Sequence, residues 1–299
     1  MTTPARSLSP GVREISLNAD GVTLSGLLAE PGHTPARAAV VALHGGGMNA
    51  GYFDGQAHPQ LSLLTLGARL GYTVLALDRP GYRDSAAQLP EGQGLVAQAT
   101  SLHTALREFV SRYETGAGLF LLAHSYGGKV ALTAAADPAG RDLLGLDISG
   151  CGHRYAAETY GLPAPAGQGH RTKNWGPLRL YPPDTFRTSG SLVGLVPARE
   201  RAEAARWPRL FSVIAPHIRI PVRLTFAEYE GWWRHDEETL ADLAAHLSAA
   251  PRVLLDHQPD AGHNISLGWA ARAYHLRALA FLEACLVSRE AAAVPQPAR

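Results

Sequence analysis

Leu119 to His124 is a short run, apolar but for its last residue, that follows Gly118 and stops at Ser125. A run this brief and this rich in large apolar side chains predicts a buried strand. Tyr126, Gly127 and Gly128 come next, and then a helix-forming segment, Lys129 to Ala136. A serine between such a strand and such a helix sits on a sharp turn. The turn lifts its hydroxyl off the sheet edge and aims it at the helix N-terminus. Crowding there demands small residues two before and two after the serine, and Ala123 and Gly127 supply them. A surface serine in an ordinary strand-to-helix turn would show the same local pattern, so the rest of the chain has to discriminate.

The flanking sequence alternates between the two kinds of element. Val12 to Ala19 and Val22 to Ala29 alternate in polarity either side of Asp20-Gly21, which predicts two antiparallel edge strands joined by a tight turn. Ala38 to Leu43 is continuously apolar, as expected of a central strand covered on both faces. Leu61 to Leu70 reads as a helix closed by Gly71, and Tyr72 to Leu77 as another buried strand. Gly94 to Tyr113 places Leu95, Ala99, Leu102, Leu106, Phe109 and Val110 at helical spacing. After the serine strand and its helix, which Asp137-Pro138 stops, Leu143 to Ile148 is a further strand. Strand and helix in alternation predict a doubly wound, mostly parallel α/β sheet.

From 153 to 217 the alternation fails. The segment is rich in Pro, Gly, Arg and aromatic residues, including Tyr155, Tyr160, Trp175, Tyr181, Phe186, Trp207 and Phe211. A structureless insert of that length is improbable in a compact domain, and the aromatics argue against solvent-exposed disorder. The expectation is a lid of short helices over the C-terminal edge of the sheet. Alternation then resumes with a strand at Val222 to Phe226, a helix at Asp236 to Leu247, a strand at Arg252 to Leu255 and a last helix at Ser266 to Val287. The organisation expected is thus an eight-stranded core, 1–152 and 218–299, interrupted by a lid at 153–217. Met1 to Pro10 and Ala291 to Arg299 read as tails.

A serine hydroxyl is a weak nucleophile unless a base takes its proton, and a histidine base needs an acceptor on its other nitrogen. With 13 histidines in the chain, residue type alone selects none. Position does: His263 lies in Pro259-Asp260-Ala261-Gly262-His263-Asn264, a loop between the last strand and the last helix. Three carboxylates are candidates for the acceptor. Glu230 and Glu228 follow the Val222 strand, and Asp147 lies inside the strand before it. Each could instead simply pair with an arginine such as Arg234.

Four segments together resemble the α/β-hydrolase superfamily. Ala123-His124-Ser125-Tyr126-Gly127 is similar to its G-x-S-x-G nucleophile elbow, with Ala123 for the first glycine. His44-Gly45-Gly46-Gly47 resembles its HG-x-G loop, and Asp78 to Ser85 its D-x-P-G-x-G-x-S turn with Arg83 for a glycine. Gly262-His263 resembles its histidine loop, and the resemblance spans about Ala38 to Val287. It implies Ser125 as nucleophile and His263 as base, with an acid in chain order between them. The family's proline-led strand ends in a glycine, two variable residues and the acid. Ile220-Pro221 opens this strand and Ala227 stands at the glycine position, which puts the acid at Glu230, where Asp is usual, with Glu228 as its rival. The backbone N–H groups of Tyr126 and Gly46 would form the oxyanion hole, with Gly47 a second candidate. Asp78 precedes the nucleophile, the wrong order for a triad acid, and reads as structural. His44 reads as a brace for the loop after it, and His124 as facing sideways into packing. Met48, Tyr52 and Phe53, with Trp175 from the lid, are expected to line the pocket, and Trp232 and Trp233 to pack at the lid base.

The function implied is a serine esterase or thioesterase working through an acyl-enzyme on a small-molecule acyl substrate. The aromatics and arginines of the lid, among them Arg154, Arg171 and Arg201, suggest an apolar acyl group with a polar or anionic portion. The same machinery also serves acyl transfer, cyclisation, C–C cleavage and lyase chemistry, and a non-catalytic ligand-binding member could retain it. An epoxide hydrolase or dehalogenase would need Asp in place of Ser125. The triple glycine matches no dinucleotide or P-loop pattern, so no metal or cofactor is expected. With 27 basic and 26 acidic residues there is no sign of a nucleic-acid or membrane-surface partner. Two distant cysteines, Cys151 and Cys285, and no apolar leader or run of roughly 20 residues suit a cytoplasmic protein. The oligomeric state stays open, a homodimer included.

Overall fold

Asp20 and Gly21 both adopt positive φ, 55° and 84°, the two-residue turn that matches the twist of paired strands. They join β1 (Arg13–Ala19) to β2 (Val22–Ala29) in an antiparallel hairpin. The computed structural model describes residues 7–32, 35–156 and 168–293. The ends of both expected tails, Tyr160 and the remainder of 157–167 lie outside the described residues, as does the Arg171 side chain.

Beyond the hairpin the chain runs β3 (Ala39–Leu43), α1 (Leu63–Arg69), β4 (Thr73–Leu77), α2 (Leu95–Arg112), β5 (Leu119–His124), α3 (Tyr126–Ala136) and β6 (Gly145–Ser149). Four short helices follow: α4 (Gln168–Trp175), α5 (Thr185–Thr188), α6 (Ala198–Ala204) and α7 (Trp207–Ile214). Then come β7 (Val222–Tyr229), α8 (Glu237–His246), β8 (Val253–Gly262) and α9 (Ala271–Ala293). The eight strands form one sheet in the order β1-β2-β4-β3-β5-β6-β7-β8. The β2–β4 pairing is antiparallel and β3 to β8 run parallel. The doubly wound sheet expected from the alternation is therefore present.

Apolar side chains alternate between the two faces of the central strands. Val41, Leu43, Leu121 and Ala123 pack with α2 and α3, while Val40, Ala42, Phe120 and Leu122 pack with α1 and α9. Because β3 to β8 run parallel, the carboxyl ends of β3, β5, β7 and β8 share one edge, where the loops are free to carry chemistry.

Two boundaries differ from expectation. β8 runs on to Gly262, through Pro259 and Asp260. As the last strand it is an edge, where a missing N–H is tolerated. A register shift between Ala227 and Tyr229, with Asp260 at φ 52°, absorbs the extra length. His263 thus stands at the strand end rather than within a longer loop. The last helix begins at Ala271 because a 3-10 turn, Ile265–Leu267, ends at Gly268 first. No described helix is long and apolar enough to cross a membrane.

Candidate active site

Ser125 leaves β5 at φ 53°, ψ −115°, a conformation that costs an L-residue about 1–3 kcal/mol. The turn is held because its neighbours are small. A Cβ on Gly127 would lie 2.4 Å from the Leu43 carbonyl oxygen, and one on Gly45 would meet the Ser125 Cβ at 3.2 Å. The backbone of β3 can therefore pass directly beneath the serine.

His263 Nε2 lies 3.0 Å from Ser125 Oγ. On its other side Nδ1 is 2.8 Å from Glu230 Oε2 and 3.1 Å from Oε1. A carboxylate at Nδ1 fixes the proton there and leaves Nε2 to accept from the serine hydroxyl. Histidine and glutamate are both buried, and Glu230 Oε1 also accepts from the Trp232 N–H at 2.9 Å. Glu228 is exposed and accepts from the Asp260 N–H at 2.8 Å. Asp147 is buried against Arg223 and accepts from the Tyr274 hydroxyl at 2.9 Å, as a structural carboxylate does. Of the three acids, only Glu230 meets His263.

The other motif residues do structural work. The Asp78 carboxylate accepts from the Ala50 N–H and the Ser25 hydroxyl. His124 stacks on Tyr52 at 4.6 Å, and burial, then His263, pushes its pKa well below the ordinary value. His44 Nδ1 donates to the Gly45 carbonyl at 2.8 Å, while Nε2 accepts from the Arg79 N–H at 3.1 Å. Arg79, fully buried, adds Nη2 to the same Gly45 carbonyl at 3.1 Å and Nε to that of His44 at 2.8 Å. Because a trans peptide points its C=O and N–H in opposite directions, these bonds turn the Gly46 N–H away from Arg79. Gly46 and Tyr126 both line the cavity at Ser125. As first residue of α3, Tyr126 has no intrahelical acceptor for its N–H. Gly47 is already committed: its N–H donates to the Tyr82 hydroxyl at 3.0 Å. This removes it as the second oxyanion candidate.

That cavity measures about 380 Å³. Its walls correct the expected pocket. Asn49 caps a 3-10 turn, Ala50–Phe53, which folds Tyr52 and Phe53 into the core; the Tyr52 hydroxyl accepts from the Ser266 N–H. Met48 faces a separate cleft with Leu192 to Val196, because the Gly47 carbonyl accepts from the Gly194 N–H. Trp175 packs on Tyr181 and Phe186 instead, and its neighbour Asn174 reaches the cavity. The walls are Tyr155, Trp232 and Trp233, with Val196, Arg201 and Ala204 from the α6 region. Lys129, four residues past the serine, also lines it.

The Alpha/beta hydrolase family model matches residues 40–278. The chain belongs to the alpha/beta hydrolase family. No curated protein matches it. Among solved structures it is similar to a thermostable carboxyl esterase from Bacillus coagulans, at 16% identity and TM-score 0.68, over 93% of this chain and 100% of that one. It is also similar to a serine hydrolase involved in carbazole degradation, at 17% and 0.63, over 91% and 99%. A thioesterase domain from the curacin biosynthetic pathway matches at 16% and 0.59, over 92% and 99%. At these identities the likeness is one of fold.

Sequence reasoning missed two features of this hydrolase. The first is the Arg79 network, whose guanidinium pairs with buried Glu200 from α6. Gln98 and the Tyr82 hydroxyl, which donates to Glu200 Oε2 at 2.8 Å, complete it. The second is Lys129. A lone charge in a helix otherwise built of Tyr, Gly, Ala, Val, Leu and Thr is the signal that could have found it. Several arginines of the 153–217 segment turn elsewhere: Arg154 to Asp242, Arg187 to Asp184, Arg179 to the Tyr229 hydroxyl. One group of metal-ligating type, His153, Asp242 and His246, occurs among the described residues. Arg154 shares the Asp242 oxygen that His153 binds, which disfavours a cation there.

Proposed function

We propose that this hydrolase cleaves a carboxylic ester or thioester of a small acyl substrate through Ser125, His263 and Glu230. The observation that carries the reading is the pair of contacts on one imidazole, Oγ at 3.0 Å and carboxylate at 2.8 Å, beside an accessible cavity. Ser125 Oγ attacks the carbonyl carbon while its proton passes to His263 Nε2. The tetrahedral oxyanion takes the N–H groups of Gly46 and Tyr126. The imidazolium, balanced by Glu230, then protonates the departing alcohol or thiol and leaves an acyl-serine. Water, deprotonated by the same nitrogen, repeats the sequence and releases the acid. The segment 153–217, which supplies Tyr155, Asn174, Val196 and Ala204 to the cavity, acts as its lid.

Ser125→Ala should abolish turnover of nitrophenyl esters and labelling by a fluorophosphonate. Glu230→Gln should lower kcat by about 10²–10⁴-fold, by analogy with loss of the triad acid, and Glu228→Gln by less than about threefold. Steady-state kinetics on the three variants decides it. Undiminished activity in Ser125→Ala, or a larger loss in Glu228→Gln than in Glu230→Gln, would refute the assignment.

A further inference from the structure

Lys129 is 3% exposed and lines the same cavity as Ser125. Four aromatic rings surround its ammonium, with Tyr126, Tyr155 and Trp233 centroids at 5.3 Å and Trp207 at 5.6 Å. One hydrogen bond, 2.8 Å to the Tyr155 hydroxyl, uses one of its three donors. That hydroxyl passes its own proton to the Ala204 carbonyl at 2.6 Å, so it is held as an acceptor facing Lys129. Among the described residues Lys129 forms no ion pair. The acid nearest by position, Glu200, is engaged by Arg79, Gln98 and Tyr82. The remaining ionisable groups on the wall are His263, whose partner Glu230 lies behind it and is engaged by His263 Nδ1 and the Trp232 N–H, and Arg201, a second cation, exposed at the rim.

Packing does not call for a charge here. Aromatic faces favour a cation only modestly, and a methionine would fill the same space with no charge to desolvate. Burial does push the Lys129 pKa down, to about 8, yet leaves it protonated at neutral pH. A second group points the same way. The Tyr126 hydroxyl is buried on this wall and has no hydrogen-bond partner among the described residues. The cavity thus holds an unpaired cation one helical turn from the nucleophile and an unpaired donor on the residue next to it.

We propose that the Ser125 cavity selects esters or thioesters carrying a carboxylate a few bonds from the scissile carbonyl, with Lys129 as its counter-ion. The inference rests on the hydrolase reading and adds a substrate class to it. Bound substrate would supply the missing negative charge, and Tyr126 would donate to it. The uncharged analogue would leave the ammonium desolvated and unpaired, which is where the discrimination originates.

The test compares the mononitrophenyl ester of glutaric acid with its methyl ester and with nitrophenyl valerate at pH 7. The wild-type kcat/KM should favour the free acid by about tenfold or more over both neutral esters. In Lys129→Met that ratio should fall by about tenfold, mainly through KM. A wild-type ratio at or below unity overturns the proposal without any variant. An unchanged ratio in a folded Lys129→Met protein overturns it as well. Calorimetry on Ser125→Ala with glutaric acid monoanilide supplies a readout without turnover. Binding should be tighter than for valeranilide, and the advantage should vanish in Ser125→Ala/Lys129→Met. Equal affinities would count against the carboxylate subsite even with full esterase activity. Failure of fluorophosphonate to label Ser125 would instead sink the hydrolase reading.

Discussion

Lys129 also makes a prediction about stability. Its pKa falls from 10.5 to about 8 chiefly because burial strips water from the ammonium, with Arg79 adding repulsion and Cys151 and Glu200 opposing. A lysine whose folded pKa is depressed costs stability wherever both folded and unfolded forms are protonated, that is, below pH about 8. The cost disappears as pH rises toward 10.5, where the unfolded chain also gives up the proton. Its ceiling is about 3 kcal/mol, reduced by the ring contacts and the Tyr155 hydrogen bond lost on substitution. Lys129→Met should therefore be more stable than the wild type by about 1–3 kcal/mol at pH 7. The gap should shrink between pH 8 and 10.5, other titrations cancelling in the difference. Urea unfolding of both proteins at pH 7 and pH 10 measures it. A gap that stays constant would mean that the ammonium is not desolvated.

At the scale of elements, α6 and the loops after β3 and β4 meet in one buried ion pair. Burial alone would lower the Arg79 pKa, but Glu200 outweighs it and holds the guanidinium above its ordinary value. Removing one partner strands the other. Glu200→Leu should cost about 3–5 kcal/mol, and Arg79→Met/Glu200→Leu should recover most of that. Every variant lacking Arg79 should also lose kcat, because the Gly45 carbonyl that orients the Gly46 N–H is released. A double-mutant cycle in urea, with ester kinetics on the same proteins, separates the two effects. The contrast between this network and the proposed triad shows what a sequence can convey. That Ser125, His263 and an acid after β7 would meet was legible, because turn geometry and chain order constrain them locally, while Glu228 stayed open as a rival to Glu230 until the contacts separated them. Alternation alone gave the strands to within a few residues, save β8, whose Pro259 and Asp260 mimic a loop. The cavity wall was not legible. Asn174, Val196 and Ala204 reach it through packing of short helices without a common period. Tyr52 and Phe53 were misplaced because nothing in their sequence distinguishes a capped turn folding inward from an open loop.

For the whole molecule, the question is whether 168–217 opens independently of the sheet. Trp207 and Phe211 of α7 are buried in the same apolar cluster as Leu224 of β7 and Val130 of α3. Leu180, Tyr181 and Leu192 join the cluster on the opposite face of the sheet. The Trp207 indole N–H donates to the Gly152 carbonyl at 2.7 Å, and Glu200 is locked to Arg79. A segment that contributes to both cores and to a buried ion pair has no low-energy way to detach, since opening it would expose Trp207 and an unpaired guanidinium together. The proposed triad depends on the carboxyl ends of β5, β7 and β8, so it cannot outlast the sheet. Loss of fluorophosphonate labelling at Ser125, near-UV circular dichroism from the buried tryptophans and far-UV signal from the sheet should therefore share one melting midpoint, within about 2 °C. If near-UV signal and labelling were lost well below the far-UV transition, 168–217 would be a separately unfolding unit. The cavity would then have a mobile wall, and its selectivity could not rest on a fixed cage around Lys129.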